Sequence, residues 1–82
     1  MLHSPDWTMR ITILSWREGF NKVVFTQVIM QYFGYQLSVA KEVTDYVLEG
    51  DPFYLGEHDE CLARAFQDRA KMLGAEVELR AL

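Results

Sequence analysis

The stretch NKVVFTQVIMQYFGYQLSVAKEVTDYVLEG, Asn21 to Gly50, decides the fold. Val24, Phe25, Val28, Ile29 and Tyr32 recur at the spacing of one helical face, the pattern of an amphipathic helix packed on a sheet. Val23, Thr26, Gln27, Met30 and Gln31 fall on the other side. Asn21 is an N-cap, because its short amide accepts from the orphan backbone amides of a first turn. Gly34 suits the left-handed residue that follows a last turn. The spacing therefore predicts a helix over 22–33. After the turn Gly34-Tyr35-Gln36-Leu37, Ser38 caps a second helix from Val39 to Glu49. Ala40, Val43 and Val47 form its buried stripe, with Tyr46 at the margin. Gly50 stops it, and Asp51-Pro52 prevents resumption.

Upstream, Met9 to Trp16 alternates as a strand does. Met9, Ile11 and Ile13 fall on one face, and Arg10, Thr12, Leu14 and Trp16 on the other. Downstream, Phe53-Tyr54-Leu55 reads as a short strand and Gly56-Glu57-His58 as a loop. Asp59 caps a third helix over 60–73, with Leu62, Ala63, Phe66, Ala70 and Leu73 inward and Gly74 as its stop. An acid early and Arg69 and Lys71 late suit the helix dipole. Ala75 to Arg80 alternates again, with Ala75, Val77 and Leu79 inward and Glu76, Glu78 and Arg80 outward. Arg10 is expected to pair with one of those glutamates. The order β-α-α-β-α-β predicts an α+β fold, a three-stranded antiparallel sheet with three helices on one face. Residues 1–8 read as a leader, with Met9 an alternative start to Met1, and 9–82 as a single domain.

The composition narrows the function. Eighty-two residues, half of them apolar and 13% aromatic, fold as one small domain without metal or disulfide support. The net charge is −4 and the eight Lys and Arg residues are scattered. A nucleic-acid binder concentrates its cations on one stripe, so the distribution argues against that class. Cys61 is the single cysteine, so no internal disulfide staples the fold. No apolar run is long enough for a membrane helix or a secretory signal, and the expectation is a cytoplasmic protein without membrane attachment.

His58-Asp59-Glu60-Cys61 is the one cluster of ligand-type and nucleophile-type residues. It reads more simply as a helix start, with a cap, an acid at the positive dipole end and a small apolar residue. A zinc site needs three or four ligands. There is no phosphate loop or dinucleotide fingerprint, and Ser4, Ser15 and Ser38 lie in no nucleophile motif. The reading is non-enzymatic, with no cofactor and no metal.

Asn21-Lys22-Val23, Gly34-Tyr35-Gln36-Leu37, Ala40-Lys41-Glu42, Val47 and the ending Gly74-Ala75-Glu76-Val77-Glu78-Leu79-Arg80 resemble one known domain. It is the C-terminal domain of the bacterial ribosomal large-subunit stalk protein, which recruits translation GTPases. The resemblance runs from about Arg10 to Arg80. It implies a protein-binding face on the first two helices, carried here by Lys22, Val23, Thr26, Gln27, Met30 and Lys41. The family has an apolar residue and two cations where this chain has Thr26, Gln27 and Met30, which implies a less basic contact. The stalk's dimerisation region and hinge have no counterpart in these residues.

The same element order suits the Clp protease adaptor, which binds peptides with destabilising N-terminal residues. That family's Asn-Asp pair after the first strand is replaced here by Ser15-Trp16-Arg17-Glu18-Gly19. A protease-adaptor-like peptide or substrate binder is therefore the alternative. The expected partner is a protein, either like a translation factor or a component of a protease system. A second copy is a further candidate, through an apolar patch near Met30, Phe33 and Tyr35.

Overall fold

The computed structural model describes residues 8–82. The chain runs β1 (Thr8–Trp16), α1 (Lys22–Phe33), α2 (Leu37–Leu48), β2 (Phe53–Asp59), α3 (Glu60–Met72) and β3 (Ala75–Ala81). This is the expected α+β order. The sheet is antiparallel throughout, with β1 central in the order β2-β1-β3. The inward side chains of the strands join Phe25, Val28, Ile29, Ala40, Val43, Val47, Ala63, Phe66 and Ala70 in a single core, so all three helices cover one face. The backbones of α2 and α3 approach the strands, whereas that of α1 approaches only the other two helices.

Thr8, assigned to the leader by sequence, is the first residue of β1 and pairs with Asp59. The rest of the leader, including Trp7, lies outside the described residues. Met9, Ile11 and Ile13 are buried as their alternation requires. The alternation then breaks. Ile13 pairs with Val77 but Ser15 pairs with Glu76, leaving Leu14 as an extra residue in β1. One extra residue turns every later side chain to the opposite face. Trp16 therefore sits on the helix side, against the Phe20 ring, with its indole Nε1 donating to the Leu48 carbonyl at 3.2 Å. That corrects its expected place on the Arg10 face.

Gly56 to His58 form part of β2, not a loop. Gly56 pairs with Ile11 and Tyr54 with Thr12, and Leu55 between them is the extra residue of a second bulge. The bulge lets the strand bend and continue to Asp59. Arg10 also finds a partner other than the expected one. Its guanidinium lies 3.7 Å from Glu57 on β2 and above the Tyr54 ring. On the β3 side it faces Arg80, which turns to Glu78 instead.

The helix ends place the rest. The Asn21 side chain accepts from the Val24 amide, and Gly34 closes α1 at φ 70°, a backbone that glycine adopts without strain. Helix α2 begins at Leu37, and Gln36 precedes it without a side-chain cap. The expected Ser38 cap is thus already inside the helix, where its side chain is exposed. The Arg17 amide donates to the Gly74 carbonyl at 2.7 Å and the Asn21 amide to the Leu73 carbonyl at 3.0 Å. These bonds tie the start of α1 to the turn after α3. Gly74 has φ 98°, and a Cβ there would stand 3.0 Å from the Phe20 Cα, so two constraints require glycine.

Candidate partner-binding groove between the first two helices

Helices α1 and α2 are joined at Gly34 and lie against each other, and what their contact lacks in bulk it replaces with hydroxyls. Thr26 and Thr44 are both buried, and their Oγ1 atoms meet at 2.7 Å across the seam. Thr26 Oγ1 also donates to the Lys22 carbonyl at 2.8 Å, and Thr44 Oγ1 to the Ala40 carbonyl at 3.1 Å. Two hydroxyl protons cannot serve three contacts at once. The shorter pair of distances favours a relay in which Thr44 donates to Thr26 and Thr26 donates to Lys22. Thr44 keeps the Ala40 carbonyl, one turn back, as its alternative acceptor. Both buried oxygens are thereby satisfied.

Small side chains at the seam leave an open groove above it, of about 480 Å³. From α1 it is lined by Lys22, Val23, Thr26 and Gln27, and from α2 by Leu37, Lys41, Thr44, Asp45 and Leu48. Val23 and Leu37 are more than half exposed, at 62% and 56%. Exposed apolar side chains flanked by charges are the anatomy of a contact surface, not of a core. Among the described residues, Lys22 and Lys41 stand in no ion pair, whereas Arg10, Arg64 and Arg80 each stand beside a glutamate. The two lysines can therefore turn to a partner without breaking a bond inside the domain.

Five of the six residues expected on this face come together in the groove, and Met30 does not. Met30 is half-buried and packs against the core. A flexible thioether gains more by filling that gap than by standing in water. Thr26 belongs to the groove as its floor, through a buried hydroxyl. Phe33 and Tyr35 are likewise half-buried, with ring centroids 6.0 Å apart, and both pack on the core. On these two helices the exposed large apolar side chains are instead Val23, Leu37, Val39 and Tyr46.

Leu37, Thr44, Asp45 and Leu48 line the groove without having been singled out by sequence. Leu37 was hidden by the choice of Ser38 as cap, which put it in the turn. Thr44 had a readable signal. It stands four residues after Ala40 and one after Val43, on the buried side of the helix.

The His58 cluster is a strand end and a helix cap. Asp59 accepts from the amides of Cys61 and Leu62. The His58 ring packs on Phe33 at 4.7 Å, and its Nε2 lies 3.2 Å from the Leu55 carbonyl. Cys61 is exposed on α3. No group of three or more His, Cys, Asp or Glu gathers among the described residues. No helix among them is long and apolar enough to cross a membrane. No family model matches the chain, and no curated protein matches it in sequence.

Proposed function

We propose that this chain is a non-enzymatic protein–protein interaction domain of the stalk C-terminal type, acting in the cytoplasm and binding a partner protein through the groove between α1 and α2. The observation that carries the reading is the groove itself. It gathers exposed Val23 and Leu37 between two lysines that stand in no ion pair among the described residues, on the helical pair that the resemblance singles out. Apolar contact supplies affinity at such a site, and the lysines set approach and orientation. The test is capture of partners from cell extract by the full chain and by its Lys22→Glu, Lys41→Glu double variant. The reading expects the double variant to lose partners that an Arg69→Glu control on α3 keeps. Identical capture by all three proteins sinks it.

A second reading is favoured by Asp45. A carboxylate beside an apolar pocket can hold the free amino group of a peptide whose first side chain enters the pocket, as an adaptor requires. Titration with short peptides that begin with Phe or Leu, and with their N-acetylated forms, separates the two readings. An adaptor binds the free amines only.

A further inference from the structure

The two outer edges of the sheet differ, and the difference points to a second copy of this chain. On β2 the extra residue Leu55 breaks the ladder, and its carbonyl already lies against His58 Nε2. A bulge of this kind blunts an edge against further pairing. On β3 the free edge is regular. Arg80 and Glu78 face Arg10 and Thr12, and the Leu82 amide donates to the Thr8 carbonyl, so the even-numbered positions bond inward to β1. The odd-numbered backbone groups then point outward. Gln67 Nε2 reaches one of them, the Val77 carbonyl, at 3.0 Å. Among the described residues, no loop or side chain bonds those of Leu79 or Ala81. Val77 and Leu79 are also only half-buried on the helix side of this strand.

We propose that β3 pairs antiparallel with β3 of a second copy about a twofold axis at Leu79, making a continuous six-stranded sheet. In this register the Leu79 amide and carbonyl bond those of Leu79 in the second copy, and Val77 faces Ala81. On the open face, Glu78 meets Arg80 of the second copy, twice by symmetry. Opposed residues share a face, so both sets of helices lie on one side of the joined sheet. The two neighbouring registers with the same facing centre on Glu78 and on Arg80, and each sets that residue against itself, a like-charge pair that opposes it. The charge pattern of β3 thus selects one register. Glu60, Arg64, Asp68 and Lys71 recur at helical spacing along α3, and Asp68 and Lys71 line a hollow with Glu76 and Val77 of β3; their alternating charges suit an antiparallel copy of the same helix. This surface is separate from the groove between α1 and α2, so the two sites stand or fall independently.

Sedimentation equilibrium of the full chain at low salt tests the pairing, with circular dichroism to check that each variant is folded. Wild type should dimerise within about 0.1–1 mM, the range of a small interface. Glu78→Arg sets Arg against Arg80, and Arg80→Glu sets Glu against Glu78. Each should weaken the dimer about tenfold, since two cross-strand pairs turn from attraction to repulsion. The double variant Glu78→Arg, Arg80→Glu exchanges the charges and should return to within a few-fold of wild type. Wild type that stays monomeric at about 1 mM overturns the proposal, because a small interface would have formed by then. So does a dimer that the single variants leave unchanged, or a double variant as weak as the singles.

Discussion

Helix α1 has two flanks, and they are built on opposite plans. Toward α3 it is sealed with aromatic rings. Phe66 alone lies within ring-contact distance of Phe25, Tyr32 and Phe33, at centroid separations of 6.2, 6.1 and 5.0 Å. Phe20 extends the cluster by an edge contact on Phe25. Toward α2 the contact is a pair of threonines under an open groove. Large rings in edge and tilted contact exclude water and carry most of the packing energy. Small hydroxyl side chains hold the second helix close but leave surface uncovered. The contrast teaches that one flank serves stability while the other is left available for contact, and that a single helix serves both.

The largest test is Phe66→Ala, which removes the centre of the sealed flank. Truncating a fully buried phenylalanine should destabilise the domain by about 3–5 kcal/mol, read as a fall in the urea midpoint. A loss below about 1 kcal/mol would show that the ring cluster is not the main support. The seam comes next. Thr26→Val and Thr44→Val should each cost about 1 kcal/mol, because each removes one hydrogen bond while the surviving hydroxyl keeps its carbonyl. The double variant should return toward wild type, since replacing both partners by apolar groups of the same shape is nearly neutral. A double-mutant cycle without coupling would mean that the two hydroxyls do not bond each other. The smallest effect belongs to the groove rim. Lys22→Glu and Lys41→Glu should each change stability by no more than about 0.5 kcal/mol, while together they abolish the capture proposed for the groove. A large loss of stability would make the lysines supports of the fold.

The elements were legible in the sequence wherever a local rule decided them. Asn21, Gly34, Asp59 and Gly74 mark helix ends by their own chemistry, and each stands at the end it announces. Ambiguity arose where two local rules competed. Ser38 is a good cap, yet α2 starts one residue before it: Gln36 is still extended, at φ −69° and ψ 158°, and the helical backbone begins at Leu37. The two bulges differ in this respect. Leu14 becomes an extra residue through its pairing with β3, and no residue type beside it announces this. Leu55 had a readable signal, because Gly56 next to it takes φ 101° inside the strand, as glycine at a bulge does. The groove was half legible. Lys22, Val23, Gln27 and Lys41 lie on the polar sides of their helices by simple periodicity. The burial of Thr26 depends on Thr44, eighteen residues away, and periodicity within one helix cannot report a pair.

The misfit of Trp16 has a practical consequence. Its indole is 41% exposed and hydrogen-bonded to the carbonyl of Leu48, a residue that lines the groove. The sequence holds two tryptophans, so a Trp7→Phe variant leaves Trp16 as the sole indole emitter. Its emission is set by how wet the ring is and by what holds its N–H. A partner seated at the Leu48 end of the groove changes both. The domain thus carries its own optical gauge beside the surface it presents, and a titration can be followed without attaching a dye.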